Sequence, residues 1–294
     1  MSYENPEIPE GINNSERRPL ASFLRLCAGA VALVVAAGAA LFVLADRLTP
    51  LVPFRYEAAV TRGLFAPAAS EGPIEPYLRA LTARLASAQS LPEGMSVQVH
   101  YDEGEVANAF ATLGGHIVLY QGLLEAMPDE NALAMVIAHE IAHVRHRHPI
   151  ASVGRAAALG FLLMLLGADG GGAVVEGAVS RGGTLTMLSF SRSQEEEADA
   201  TALEALNRVY GHVAGADSFF RRMLERKGSQ EPPRFLSSHP LTAQRIEAMV
   251  TLAQRRGWRG AGERTPIPAQ VRAEIERRAS KLAPDARAAL QPAG

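Results

Sequence analysis

The chain has 294 residues, 48% of them hydrophobic and 20% charged, with a formal net charge of −2. That length suits one domain plus a membrane element, and the lack of a basic excess excludes the electrostatic footprint of a nucleic-acid-binding protein. A single cysteine, Cys27, excludes an intrachain disulfide and any thiolate zinc site, so a metal would have to be held by nitrogen and oxygen.

Residues 1–24 open with a polar stretch rich in Pro, Asn and Glu and without apolar periodicity, which predicts a disordered tail. Between Arg25 and Asp46 lies an unbroken run of 20 apolar or glycine residues, Leu26 to Ala45, long enough to cross a bilayer as one helix. Residues 25–46 are therefore read as a single-pass anchor in the lipid bilayer. Ala37-Gly38-Ala39 resembles a signal-peptide cleavage site, but the apolar run outlasts the h-region such a peptide carries. Arg17, Arg18 and Arg25 before the span, against Arg47 and Arg55 after it, bias the N-terminus inside. The rest of the chain would then face the periplasm from the inner membrane of a bacterium.

Thr49 to Pro53 breaks the helix and begins the folded domain, residues 50–257. Leu78, Leu81 and Leu85 give Ile74 to Ala88 helical spacing, while Met95 to Tyr101, Val106 to Leu113 and His116 to Tyr120 read as strands of a small sheet. The sheet precedes an apolar run from Ala132 to Val144, free of Gly and Pro, that contains His139-Glu140-Ile141-Ala142-His143.

This is H-E-x-x-H. On a helix, positions i and i+4 share a face, so His139 and His143 can offer ring nitrogens to one tetrahedral cation, and zinc suits that geometry. Glu140, one step round, would not ligate but could take a proton from water on the metal. A third ligand has to come from elsewhere. The metzincin arrangement fails, because the positions it needs hold His146 and Pro149. A second helix can supply a carboxylate instead, and Ser191-Arg192-Ser193-Gln194-Glu195-Glu196-Glu197-Ala198-Asp199 precedes an apolar-periodic run. Glu195 and Asp199 are again i and i+4, suited to one carboxylate facing the metal and another receiving the free N–H of a ligating histidine. The same acids also fit a solvated helix N-terminus.

In zincins the strand nearest the cleft pairs with extended substrate through its backbone, and His116 to Tyr120 is the candidate for that edge, or else a core strand entered by the Gly114-Gly115 turn. After the zinc helix, His146 and His148 read as structural or solvent-facing, and Pro149 as the helix stop. Ala156 to Ala168, 13 apolar residues, is short for a span and reads as a buried or membrane-lying helix. Gly-rich stretches at Asp169 to Gly172 and Arg181 to Gly183 make 150–186 a candidate lid or a membrane-facing insertion. Asp217 to Arg226 and Thr242 to Gln254 are further helices, with His239 in the loop between them. Residues 258–294 read as a C-terminal tail with one helix, Ala269 to Leu282.

The motifs His139-Glu140-x-x-His143, Ser191-Arg192-x-x-Glu195-x-x-Ala198-Asp199 and His239-Pro240-x-x-x-x-Arg245 together resemble the M48 zinc metallopeptidases. Asn108-Ala109-Phe110 with Gly114-Gly115-His116-Ile117-Val118-Leu119, and Arg147-His148 after the zinc helix, extend the likeness across Val52 to Ala253. The resemblance implies an α+β fold, a mainly helical gluzincin-like domain with a small sheet beside the H-E-x-x-H helix, preceded by one transmembrane helix. It implies one Zn2+ per chain on His139, His143 and Glu195, with Glu140 as catalytic base. His239 would lie near the metal, where it occupies or guards the fourth position or donates to the oxyanion, and Asp199 and Arg245 would support the ligands. Asn108 and His116, Ile117, Val118 and Leu119 would line the substrate cleft. The expected partners are polypeptides, with misfolded or damaged membrane and envelope proteins as the substrate class. A non-catalytic zinc-containing chaperone or assembly factor on the same fold is the alternative.

Overall fold

The apolar N-terminal run is helical throughout: α1 is Pro19–Leu48, and its proline fits a first helical turn, where an N–H has no partner to lose. The computed structural model describes residues 19–65, 72–165, 167, 172, 190–225, 235 and 239–281. Residues 19–24, expected in the tail, are thus helical, whereas 1–18 and most of the stretch from 166 to 186 lie outside the described residues. After a 3-10 turn come α2 (Phe54–Val60), α3 (Ile74–Gln89), β1 (Gln98–Asp102), β2 (Ala109–Ala111), β3 (His116–Tyr120) and α4 (Gln121–Ala126). They are followed by α5 (Glu130–Arg145), α6 (His148–Leu165), α7 (Arg192–Tyr210), α8 (Ser218–Glu225), α9 (Ala243–Arg255) and α10 (Ala269–Lys281). The fold is α+β and mainly helical, with the small sheet beside the H-E-x-x-H helix.

The sheet order is β1-β3-β2, with β3 parallel to β1, Gln98 opposite His116, and antiparallel to β2, Phe110 opposite Val118. This corrects the edge expected at His116 to Tyr120. β3 is the central strand, its backbone engaged on both sides, and Ile117 and Leu119 point into the core at 0% exposure. Among the described residues, the edge strand next to α5 is β2. The turn into β3 depends on glycine: Gly114 and Gly115 have φ of 71° and 78°, and a Cβ on Gly115 would stand 1.9 Å from the Ser96 carbonyl oxygen.

α5 occupies the middle of the domain. Asp129 caps it by accepting from the Ala132 N–H at 2.8 Å, and every residue from Glu130 to Val144 is buried. With apolar neighbours on all sides, α5 is held by packing against α3, α7 and β2 rather than by an amphipathic face. α7 begins with a capping box, Ser191 with Gln194, and ends at Gly211 with φ 73°. Trp258 and the buried Ile267, Val271 and Ile275 pack on the same core, and the Gln121 side-chain amide donates to the Ile275 carbonyl at 2.8 Å. Residues 258–281 are therefore part of the domain's packing and not a separate tail.

Pro149 does not stop the zinc helix. α5 ends at Arg145, Arg147 turns the chain with φ 62°, and Pro149 lies in the first turn of α6. Arg147 is fixed in that unusual backbone conformation by donating to the Val52 carbonyl at 2.6 Å and pairing with Glu57. α6 runs for 18 residues and packs along α1. Among the described residues, two helices are long and apolar enough to cross a membrane, Leu20–Leu48 and His148–Leu165.

Candidate metal centre

α5 carries His139 and His143 on one face, their Nε2 atoms 3.0 Å apart. α7 crosses that face and brings Glu195, with Oε2 3.4 Å from His139 Nε2 and Oε1 3.5 Å from His143 Nε2. The segment before α9 adds His239, whose Nδ1 lies 3.1 Å from Glu195 Oε1 and 3.2 Å from His139 Nε2. Four ligands about 2.0–2.1 Å from one tetrahedral centre would stand ~3.3 Å from one another. Five contacts among these groups, at 3.0 to 3.5 Å, fall near that figure; four ligand atoms, one from each residue, lie within 4.8 Å of one another, and all four side chains are buried. Three imidazoles and a carboxylate, held this closely away from water, fit zinc.

Each ring on α5 has a partner for its other nitrogen. His139 Nδ1 lies 3.0 Å from Asp199 Oδ1, one turn along α7 from Glu195. Asp199 in turn accepts from Arg245 Nε at 2.5 Å and from another guanidinium nitrogen at 2.8 Å, and the same guanidinium contacts Glu195. This is the fork geometry with which arginine grips a carboxylate. His143 Nδ1 faces His148 Nδ1 at 2.8 Å, and His148 Nε2 lies 3.2 Å from Glu197.

The electrostatics follow from these contacts. Burial works against a charged His139, but Asp199 and Glu195 outweigh it and raise its pKa to about 9. Burial holds His143 well below the usual histidine value. Burial also opposes ionisation of Glu195, yet the three neighbouring histidines keep its carboxyl well below the ordinary range. Asp199 is likewise lowered: burial is outweighed by Arg245 and His139. A cation binding here therefore meets ionised carboxylates and displaces a proton from His139.

Glu140 is fully buried beside this cluster and does not join it. Among the described residues, neither of its carboxylate oxygens has a hydrogen-bond partner, and His239 Nε2 lies 3.3 Å from Oε1. Around the polar groups stands an aromatic wall. Phe190 stacks on His143 with ring centres 3.9 Å apart, Phe235 stacks on His239 at 4.6 Å, and Phe220 lies under Arg245. Glu140 is thus a buried carboxylate beside the ligand cluster, an arrangement suited to proton transfer.

The fold thus gathers His139, Glu140, His143, Glu195, Asp199, His239 and Arg245 in one place. It does not bring His116 there: that ring stacks on Phe65, its Nδ1 lies 2.9 Å from His100 Nε2 on β1, and burial lowers its pKa to about 4. Asn108 is buried just before β2, its side-chain oxygen without a partner, and its carbonyl accepts from the Tyr120 N–H at 3.2 Å. Three contributors have weak sequence signals: Phe190 and Phe235, whose contacts are wholly tertiary, and His148. The five-residue interval from His143 to His148 was the available hint for the last. Replacing His148 with Ala is expected to weaken metal affinity by about 10–100-fold, as loss of a partner to a ligating histidine does, while Asn, which keeps a hydrogen-bonding group, recovers part of it. Competition titration with a chromophoric chelator reads this directly, and an unchanged affinity in the Ala variant would remove His148 from the metal's support.

The profile of Peptidase family M48 matches residues 74–253. Among curated proteins, the chain is 29% identical over 196 residues to the beta-barrel assembly-enhancing protease of Escherichia coli (strain K12), covering 62% of this chain and 39% of that one. It is 27% identical over 167 residues to the mitochondrial metalloendopeptidase OMA1 of Saccharomyces cerevisiae, covering 54% and 48%. With the metalloprotease LoiP of Escherichia coli (strain K12) the identity is 29% over 193 residues, covering 64% and 73%. The chain spans less than half the length of the first two relatives.

Proposed function

The chain belongs to peptidase family M48, and from that premise we propose that it is a membrane-anchored zinc metalloendopeptidase. Zinc would be held by His139, His143 and Glu195, with His239 at the fourth corner. When bound, the ion would act as a Lewis acid toward a peptide carbonyl and make water acidic enough to ionise near neutral pH. Glu140 takes the proton from the attacking water and returns it to the leaving amide nitrogen. Its unpartnered oxygens, buried beside four converging ligand atoms, are the observation that carries this reading. Asp199 and Arg245 hold His139 and Glu195 in place, and the aromatic wall keeps bulk water from competing.

Extended polypeptide would lie along β2, the edge strand among the described residues that packs on α5, with the Asn108 side chain at its entrance. Main-chain pairing of that kind demands little of the substrate's sequence, which suits a quality-control peptidase. The substrates we assign are misfolded or damaged membrane and envelope proteins. α1 would anchor the enzyme in the inner membrane of a bacterium, with the catalytic domain in the periplasm.

Metal content together with casein hydrolysis by the purified protein in detergent tests the reading. About one zinc per chain with chelator-sensitive cleavage supports it, and a protein that takes up no divalent metal overturns it. His239 Nδ1, 3.1 Å from Glu195 Oε1 and 3.2 Å from His139 Nε2, supports a role in closing the fourth position, so His239→Ala is expected to raise casein hydrolysis severalfold. A fall of about 10²–10³-fold with zinc retained would instead give this histidine the oxyanion's donor role. The closed position of His239 also favours a second reading, a zinc-containing chaperone or assembly factor, which predicts that His239→Ala stays inactive.

A further inference from the structure

α6 leaves the metal centre and returns along α1. At the near end, Arg155 pairs with Asp46 at 2.6 Å, and a Cβ on Gly154 would stand 2.2 Å from the Thr49 methyl. Farther along, a Cβ on Gly38 would stand 3.2 Å from Leu162 Cδ2. From Arg155 to Leu162 the α6 axis rises about 10 Å, and from Asp46 back to Gly38 the α1 axis covers about 12 Å, at ~1.5 Å per residue. The two helices are therefore antiparallel and keep level with each other. Each glycine leaves room for a side chain of the facing segment, Thr49 against Gly154 and Leu162 against Gly38, the small-residue packing by which helices associate within a bilayer.

The last charge on α6 is Arg155, at the level of Asp46 and so at the polar end of the apolar run. Beyond it, Leu159, Phe161, Met164 and Leu165 are 38%, 53%, 64% and 66% exposed. On α1 the same condition holds at Val31, Leu33, Val35 and Val43, all more than 60% exposed. We propose that α6 is a second intramembrane helix, entering the bilayer beside α1 and reaching about the middle of its ~30 Å hydrocarbon layer. The proposal rests on the reading of α1 as a membrane anchor and deepens it, since a helix level with α1 from Asp46 to Gly38 shares its depth. It differs from a helix lying in the plane of the interface, whose polar face would carry charges along its length. α6 carries none after Arg155.

The consequence for the site is direct. His148, the first residue of α6, touches His143, and Arg147 ties the same turn to Val52 below α1. The candidate metal centre therefore stands at the membrane surface, in reach of polypeptide emerging from the bilayer.

The test uses the full chain in vesicles of phosphatidylcholine and phosphatidylglycerol, with Cys27→Ser as background and single cysteines at Phe161, Met164, Val35 and Ser87. A water-soluble maleimide is expected to label Phe161→Cys, Met164→Cys and Val35→Cys at least about tenfold more slowly than the exposed Ser87→Cys. Bimane attached at 161 or 164 before reconstitution should be quenched by lipids bearing doxyl groups deep in the acyl chain. If Val35→Cys is protected but 161 and 164 react like 87, α6 lies in water and this proposal fails while the anchor stands. If Val35→Cys reacts freely, the anchor reading and this proposal fall together. Protection at 161 and 164 without quenching would show that protein rather than lipid covers them, and would also overturn it.

Discussion

Glu140→Gln is expected to bind zinc as the parent does and to lose about 10²–10⁴-fold in kcat/KM on unfolded casein, the range a positioned general base contributes. The substitution is nearly isosteric, and Glu140 shares no ligand atom with the four-residue cluster. What changes is the ability to accept a proton. In the parent, both carboxylate oxygens are buried and, among the described residues, without a hydrogen bond, which leaves their lone pairs available to a proton. Inductively coupled plasma metal analysis and casein hydrolysis on the same preparation give the two readouts. Equal cleavage by parent and variant would sink the assignment of Glu140, and loss of zinc together with activity would make it a structural support of the site instead.

Arg245→Met carries the largest expected cost in stability, about 3–5 kcal/mol for the apo protein, because removing one partner of a buried ion pair leaves an uncompensated charge. Here the cost involves two carboxylates. Arg245 grips Asp199 at 2.5 and 2.8 Å and also contacts Glu195, and the exposures of Arg245, Asp199 and Glu195 are 6%, 3% and 1%. Its own pKa shows the same balance: burial opposes the charge, and Asp199 more than restores it. Urea unfolding of metal-free protein in detergent measures the loss. Arg245→Lys, which keeps the charge but not the fork, should fall between the two. A Met variant within about 1 kcal/mol of the parent would mean that the acids are neutralised by something other than this guanidinium. Adding zinc should recover part of the deficit, since a cation at Glu195 supplies what Arg245 no longer does.

Helical spacing is a local property, and the parts of the site that rest on it were legible from the sequence. His139 with His143, and Glu195 with Asp199, stand one turn apart on α5 and α7 because i and i+4 always do. That α5 and α7 cross, and that His239 arrives from a third segment, was inferred from likeness to a family and not from any spacing. The order of the sheet was not legible either. β2 falls between β1 and β3 in the chain but beside β3 alone in space, so the strand expected at the edge proved central. Pro149 misled for a related reason: a proline is compatible both with the end of one helix and with the start of the next. Only the positive φ of Arg147 shows that the break comes before it. His148, which reads as structural or solvent-facing, proves structural: it is buried between His143 and Glu197, a contact that depends on α6 meeting α7. The docking of 258–281 depends on three apolar residues spaced along a Pro- and Arg-rich stretch, too few to announce a core element by periodicity.

The complete burial of α5 sets how this protein can come apart. A helix with one wet face can fray or tilt while its neighbours stay folded, but α5 has no such face. Its backbone amides can meet solvent only when the layers on every side separate, which makes the ligand-bearing helix part of the most cooperative unit of the domain. The parts of the site open to adjustment without that separation are the ones that reach it from outside α5, at His239 and at the turn of Arg147 and His148.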